Sequence, residues 1–246
     1  MLTFIDADSI YFRAAYKLKK NEVRKVIDDI MRDIEGQTFM ADCQVAVKGR
    51  GNFRKILYPA YKGNRNRDYE PALRDALNYG HEYMVEKYGA ITADGMEADD
   101  LVSIWAYEAR EMEIPYTIAG IDKDLKQIPG NHYNFGKREH EFIDDDMGNY
   151  LLMLQCLTGD SGDNIPGIKG IGPKKAEGIL KGLATPERRW SRVRAAWRGH
   201  GAGCPVLSHR LLKMITSWEE FDGIKAECEA IERKQNVLPK QEKEDS

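Results

Sequence analysis

Short apolar runs alternate with longer amphipathic stretches through the first part of the chain. Apolar residues recur at helical spacing over residues 22–35, 70–88 and 98–112, and helices are predicted there. The short runs, which are typical of buried strands, are Leu2 to Ile5, Gln44 to Val47 and Tyr116 to Ile121. This alternation favours an α/β fold with a mostly parallel central sheet flanked by helices.

The pattern changes near residue 150, after which only helical spacing is seen. Helices are predicted at Ala176–Leu183, Pro186–Arg198 and Pro205–Trp218, next to glycines and prolines that punctuate the chain. We therefore expect an α/β core at 1–150 and a helical lobe at 151–239. Residues 240–246 are charged or polar throughout and are predicted to be disordered.

Charge is distributed unevenly along the chain. The net charge is −3, yet residues 48–67 carry seven basic and no acidic side chains, and residues 161–213 carry eleven basic and three acidic ones. These segments contribute +7 and +8, which leaves −18 for the remainder. Basic segments suit phosphate groups and acidic ones suit divalent cations, so this distribution is typical of a metal-dependent protein that acts on nucleic acid.

Cysteine spacing and hydropathy limit the possible classes of protein. Cys43, Cys156, Cys204 and Cys228 are far apart, which disfavours both a zinc site and a disulfide framework and favours a reducing, cytoplasmic setting. No apolar run approaches the roughly 20 residues that span a bilayer, and the apolar stretch at 1–5 is too short for a signal peptide. We expect no membrane partner.

Acidic residues follow the predicted strands. Asp6 ends the first strand, and Asp122 and Asp124 follow the third. Ligands of parallel sheets bind beyond the carboxyl ends of the strands, so these side chains are expected to lie close together. Glu97 and Asp100 open a predicted helix and are expected to share one face of it, whereas Asp99 points elsewhere unless the first turn is irregular.

A further acidic pair precedes a glycine-rich basic turn, Gly167-Ile-Lys-Gly-Ile-Gly-Pro-Lys-Lys175. Backbone N–H groups of such a turn, with Lys174 and Lys175, can hold a phosphate group. Two Mg²⁺ ions about 4 Å apart would neutralise the acidic residues, lower the pKa of a bound water and stabilise phosphoryl displacement. The candidate metal ligands are Asp6, Glu97, Asp99, Asp100, Asp122, Asp124, Asp160 and Asp163.

Each pattern also has a purely structural interpretation. Asp6 and Asp8 fit a strand-end turn or a helix cap, with Asp8 the better cap, and residues 97–100 fit an acidic first turn. Asp122 and Asp124 fit an ordinary loop, and residues 144–146 a cap. The basic segment fits a solvated face. The aromatic residues among its cations, Phe53, Tyr58 and Tyr61, instead favour a surface that stacks on bases, and core packing of Phe53 and Tyr58 is the alternative.

Taken together, the motifs resemble those of the bacteriophage and bacterial 5′-nucleases, relatives of flap endonucleases and of the 5′-nuclease domain of bacterial DNA polymerase I. The resemblance covers residues 1 to about 215 and implies a PIN-like 5′-nuclease core. The matching segments, in family order, are Ile5-Asp6, Asn52-Phe-Arg54 with Tyr61-Lys-Gly-Asn-Arg65, Glu97-Ala-Asp-Asp100, Asp122-Lys-Asp124 and Thr158 to Gly167.

This resemblance implies a role for each matching segment. The eight acids would bind the metal ions, either directly or through water, and Mn²⁺ could replace Mg²⁺. Lys62 and Arg65 would be catalytic residues that contact the scissile phosphate. A helix-three-turn-helix at about 158–183 would grip duplex DNA and bind K⁺ through main-chain carbonyls, and residues 62–95 would form a helical arch over a single-stranded 5′ end. The implied DNA-binding residues are Arg50, Asn52, Arg54, Tyr61, Lys62, Arg65, Lys169, Gly170, Gly172, Lys174 and Lys175.

Two positions depart from the family pattern. Val47 stands where relatives commonly have another aspartate, so one metal ligand is missing. Gln155 stands where some relatives have a lysine, which removes a phosphate contact. Metal affinity or rate is expected to differ from that of relatives.

The expected function is Mg²⁺-dependent hydrolysis of DNA near 5′ ends, independent of base sequence, as a 5′-3′ exonuclease, a flap endonuclease or both. A bacteriophage-encoded monomer is expected. The alternatives are a DNA-structure-binding protein with a decayed metal site, a metal-dependent RNase and a haloacid-dehalogenase-like phosphatase. The phosphatase would use Asp6 as its nucleophile but leaves the basic turn unexplained.

Overall fold

A six-stranded sheet forms the centre of the molecule in the computed structural model, which describes residues 1–65, 68–201 and 203–237. Its strands are β1 (Leu2–Asp6), β2 (Asp42–Lys48), β3 (Ile91–Ala93), β4 (Tyr116–Ala119), β5 (Gly130–Asn134) and β6 (Glu139–Ile143). They lie in the order β3-β2-β1-β4-β5-β6, and every neighbouring pair is parallel except β5 and β6. The predicted mostly parallel sheet is confirmed.

Helices cover both faces of this sheet and form the second lobe. They are α1 (Asp8–Ala15), α2 (Lys20–Thr38), α3 (Phe53–Leu57), α4 (Pro71–Tyr88), α5 (Ala98–Glu111), α6 (Asp145–Thr158), α7 (Pro173–Leu180), α8 (Pro186–Gly199), α9 (Pro205–Leu212) and α10 (Trp218–Val237), with a 3-10 helix at Lys123–Gln127. The predicted helix at Pro205–Trp218 is wrong beyond Leu212, because the backbone becomes extended at Lys213.

Side chains alternate between the two faces of the sheet, as the pleat of a strand requires. Phe4 and Ile118 pack with α5 in one apolar cluster that also receives residues of α3 and α10. Ile5 and Ala119 pack in a second cluster with α1, α2 and α4. None of the helices in the described ranges is long and apolar enough to cross a bilayer.

The helical lobe packs around α6. A two-stranded hairpin, β7 (Gly159–Asp160) with β8 (Ile165–Pro166), follows this helix and leads into the glycine-rich turn. Gly167 is required there because a Cβ atom would lie 2.1 Å from the carbonyl carbon of Thr158. The turn therefore lies directly against the end of α6.

The segment predicted to form an arch, residues 62–95, contains α4. This helix packs on α1 and α2, with Gly80 against the side chain of Tyr11. Residues 66 and 67 lie outside the described residues, as does the predicted disordered tail at 240–246. The arch remains a prediction.

Candidate active site

An acidic cleft of about 700 Å³ opens at the carboxyl ends of β1 and β4. Seven of the eight predicted metal ligands line it, and Asp8 lines it as well. The acidic side chains in the cleft are Asp6, Asp8, Glu97, Asp99, Asp122, Asp124, Asp160 and Asp163. The fold therefore brings together acids from the end of β1, the start of α5, the loop after β4 and the β7–β8 hairpin.

Burial sets the electrostatics of the strand-end acids. Burial raises the pKa of Asp6 to about 8, and repulsion from Asp8 adds to this effect, while a hydrogen bond from the Asp8 backbone N–H at 3.2 Å opposes it. Burial and the neighbouring Asp122 raise the pKa of Asp124 to about 6. Both shifts express the cost of holding unneutralised carboxylates close together in a partly dry cleft.

Tyr61 and Lys62 connect two acids on the other side of the cleft. The Tyr61 hydroxyl lies 2.8 Å from carboxylate oxygens of both Glu97 and Asp163 and can donate to either. The Lys62 ammonium contacts Glu97 and lies 3.6 Å from Asp163. Burial opposes ionisation of Glu97, but the charges of Lys62 and Arg54 outweigh it and lower the pKa of this carboxyl group.

Two further acids of the cleft, Asp160 and Asp124, are contacted by a lysine and a glutamine side chain. Lys123 Nζ lies 2.6 Å from Asp160, and the Gln155 amide donates to Asp124. Burial raises the pKa of Asp160, but the hydrogen bond and charge of Lys123 outweigh burial and lower this pKa. With the side chains in these positions, no three His, Cys, Asp or Glu residues of the described chain are arranged to ligate one metal ion.

Asp100 does not join the cluster, which corrects the prediction from helical spacing. Its carboxylate is fully buried and accepts two hydrogen bonds from the guanidinium of Arg54. The first turn of α5 is a capping box: Glu97 is the extended N-cap, and Asp100 accepts from the Glu97 backbone N–H. Asp99 therefore lines the cleft and Asp100 points into the core.

The structure corrects the DNA-binding predictions for Arg54 and Tyr61 and favours the core-packing alternative for Phe53. Arg54 is only 3% exposed and bound to Asp100, so it is not available to DNA. Tyr61 and Phe53 are buried, at 2% and 4% exposure, and cannot stack on bases. Val47 is fully buried in the cluster formed with α1, α2 and α4, so this position contributes nothing to the cleft.

Other predicted DNA-binding residues lie on the surface. A pocket of about 420 Å³ adjoins the cleft, shares Lys62 and Arg65 with it, and is also lined by Asn52 and Lys55. In the glycine-rich turn, Gly170 has a φ of +82°, and Lys175 donates to its carbonyl oxygen at 2.8 Å. The residues exposed to solvent are Arg50, Arg65, Lys169, Gly170, Gly172, Lys174 and Lys175.

Asp8 is an acidic cleft residue whose place the sequence did not reveal. The sequence predicts that its side chain caps a helix, yet Ala7 occupies the N-cap position of α1 and makes no side-chain cap bond. Asp8 Oδ1 instead accepts a hydrogen bond from the backbone N–H of Lys48, 2.8 Å away at the end of β2. The only available signal was its position two residues after Asp6.

Comparison with protein families and curated proteins agrees with this arrangement. Residues 1–147 match the family model for the 5′-3′ exonuclease, N-terminal resolvase-like domain. The chain is 36% identical over 138 residues to DNA polymerase I of Rhizobium leguminosarum, covering 52% of the chain and 14% of that protein. It is 32% identical over 180 residues to flap endonuclease Xni of Shewanella sp. (strain W3-18-1), covering 67% of the chain and 68% of that protein.

Solved structures share the fold at lower sequence identity. A bacteriophage T5 5′-exonuclease with bound divalent zinc ions has a TM-score of 0.71 at 18% identity, covering 94% of this chain and 98% of that one. The T5 flap endonuclease in a pseudo-enzyme–product complex with DNA and metal ions has a TM-score of 0.70, also at 18% identity, covering 94% and 99%. These comparisons establish the fold of nearly the whole chain.

Proposed function

The chain belongs to the 5′-3′ exonuclease and flap endonuclease family, and we propose that it hydrolyses DNA phosphodiester bonds near 5′ ends with the help of divalent cations. The observation that carries this proposal is the convergence of acids from four separate segments on one cleft. Lys62 and Arg65 line the same cleft, so a phosphate group bound there would lie near both these basic side chains and the acids.

The donor set of the cleft fits Mg²⁺, which prefers carboxylate oxygens and water as ligands. Ser9 also lines the cleft, and its hydroxyl oxygen is buried without a hydrogen-bond partner in the described part of the chain. Two Mg²⁺ ions, or Mn²⁺ in their place, would be held by carboxylates from among Asp6, Glu97, Asp99, Asp122, Asp124, Asp160 and Asp163. When bound, they would neutralise these acids and stabilise the charge that develops on the phosphodiester.

The protein's own side chains have distinct roles in this proposal. Lys62 and Arg65 bind the phosphate next to the cut and stabilise its developing negative charge. Tyr61 holds Glu97 and Asp163 in place through its buried hydroxyl. Gln155, where some relatives have lysine, orients Asp124 through its amide.

A second contact holds the duplex away from the cut. The glycine-rich turn presents exposed Lys169, Lys174 and Lys175 and the backbone N–H groups at the start of α7. Such contacts reach phosphates rather than base edges, so binding is independent of base sequence and weakens with salt. We further propose that the protein is a monomer and that it acts in a reducing cytoplasm, in keeping with its four free thiols. We also propose that K⁺ binds at the glycine-rich turn.

The test is cleavage of 5′-labelled DNA with a recessed end, a nick or a flap, with Mg²⁺ and with EDTA. Asp122→Asn should bind flap DNA as the wild type does and lose cutting, because the substitution removes a cleft charge. Asp145→Asn, which changes an exposed acid paired with Arg110, should cut normally. Absence of Mg²⁺-dependent cutting by the wild type would favour a DNA-binding protein without activity.

A further inference from the structure

The end of β2 carries no acid and borders the pocket that adjoins the acidic cleft. β1 ends at Asp6, and Asp122 follows β4, whereas β2 runs through buried Val47 to Lys48 and then to Gly49. β2 pairs directly with β1, with Asp6 opposite Ala46. The ends of neighbouring parallel strands lie at the same edge of the sheet, so this side of the cleft lacks a strand-end ligand.

Asp8 brings a carboxylate to that place from α1. Its Oδ1 accepts from the backbone N–H of Lys48 at 2.8 Å and from the Tyr11 hydroxyl at 3.1 Å. These two bonds fix the side chain against the end of β2, although Asp8 is 40 residues away in sequence. The Asp8 carboxylate thus lies at the end of β2 and lines the cleft.

The second carboxylate oxygen of Asp8 is free of the hydrogen bonds that hold the first, and Asp8 lines the cleft. Within residues 1–65, 68–201 and 203–237, no group donates a hydrogen bond to Oδ2, and this atom is not among the buried polar atoms left without a partner. The adjacent Ser9 oxygen is such an atom and lines the same cleft. Asp8 and Ser9 thus each have an oxygen without a hydrogen-bond partner in the described chain, and both residues line the cleft with Asp6.

We propose that Asp8 is a ligand of a divalent cation in the cleft and takes the place of the acid that β2 lacks. This inference rests on the proposed function, because it assumes that the cleft holds metal ions. Oδ1 positions the group against β2, and Oδ2 contributes the oxygen to the ion. Asp6 and Asp8, which only Ala7 separates in sequence, would then bind the ions from the same end of the sheet.

The experiment measures Mn²⁺ binding to the apo protein by electron paramagnetic resonance, without DNA and without turnover. Asp8→Asn keeps an oxygen that can accept from Lys48 and Tyr11 but removes the charge. We expect the affinity of at least one Mn²⁺ ion to fall by about tenfold or more, with an unchanged melting temperature in EDTA.

Asp94→Asn is the matched control. Asp94 Oδ1 accepts from the backbone N–H of Arg50 at 2.7 Å, so it also anchors the chain after β2, but it lies outside the acidic cleft. Its substitution should leave Mn²⁺ affinity unchanged. Wild-type Mn²⁺ affinity in Asp8→Asn would overturn the proposal and show that Asp8 only anchors β2.

Failure of the role proposed for Asp8 can be distinguished from failure of the proposed function. If Asp8→Asn does not fold, Asp8→Ser also removes the carboxylate while keeping a hydroxyl that can accept a hydrogen bond, and an Mn²⁺ affinity equal to that of the wild type would then overturn the proposal. Failure of the wild type to bind Mn²⁺ or to cut flap DNA would refute the proposed function itself. Normal wild-type binding and cutting, with unchanged affinity in the variants, would refute only the role of Asp8.

Discussion

Arg54 and Asp100 form a buried ion pair that joins three distant parts of the chain. The two guanidinium NH groups donate to the two Asp100 oxygens at 2.5 and 2.8 Å. Arg54 Nε also donates to the carbonyl oxygen of Leu211, and Asp100 accepts from the backbone N–H of Ile215. The pair thereby fixes α3, the start of α5 and the segment before α10 around one site.

Removal of one partner should destabilise the protein strongly. Arg54→Met leaves the Asp100 carboxylate buried without a counter-charge, which typically costs about 3–5 kcal/mol in the free energy of unfolding. Urea denaturation at neutral pH measures this loss. Lys55→Met changes an exposed cation in the same helix and should shift stability by no more than about 0.5 kcal/mol. Equal stability of the two variants would show that the pair is not structural.

Tyr61→Phe should reduce cutting without loss of the fold. The substitution removes the hydroxyl that lies between Glu97 and Asp163, so both acids gain freedom to move. Misplacement of groups near the reacting atoms by about 1 Å can reduce the rate by about 100-fold. The measurement is kcat on flap DNA at saturating Mg²⁺.

Tyr58→Phe is the companion variant, because Tyr58 is half-buried in the same segment and does not contact the cleft. It should retain wild-type kcat. A Tyr61→Phe enzyme with wild-type kcat would mean that Lys62 and Arg65 suffice to hold the two acids.

The contrast between Asp99 and Asp100 shows what the sequence could and could not predict. β1, β2 and β4 were predictable because each contains a run of apolar residues that is visible in the sequence. β6 was not predictable, because it lies at the edge of the sheet and most of its residues are exposed. The acids were predictable as a group from their strand ends and helix start. Their exact directions were not, because the partner that draws Asp100 inward, Arg54, is 46 residues away.

Lys123→Gln should increase the affinity of the cleft for divalent cations. Lys123 neutralises Asp160 at 2.6 Å, and its side chain is 68% exposed, so a metal ion must compete with an ammonium group that is only weakly held. Only the ammonium of this pair is largely exposed, since the Asp160 side chain is 8% exposed, and a contribution of about 1 kcal/mol corresponds to an increase of about fivefold in Mn²⁺ affinity.

The control for this effect lies in the same 3-10 helix. Lys126 pairs with Glu141 outside the acidic cleft, so Lys126→Gln should leave Mn²⁺ affinity unchanged. A decrease in affinity on Lys123→Gln would indicate instead that this lysine helps to keep Asp160 in position for the ion.

His132 should make the protein less stable as the pH falls below about 6.5. Burial lowers the pKa of His132, although its ring nitrogen lies 2.8 Å from the carbonyl oxygen of Ile128. In the unfolded chain a histidine titrates near pH 6.5, so below this pH the unfolded state binds a proton that the native state does not. Stability is therefore retained above the unfolded pKa and is lost as the pH decreases through it.

His132→Gln removes this titration while keeping an amide that can donate to Ile128. The free energy of unfolding, measured in urea at pH 7.5 and 5.0, should fall more for the wild type than for the variant, by on the order of 1 kcal/mol. All carboxylates are the same in both proteins, so the difference isolates His132. Parallel losses of stability in the two proteins would show that the ring is protonated in the folded state, with Glu141 accommodating its charge.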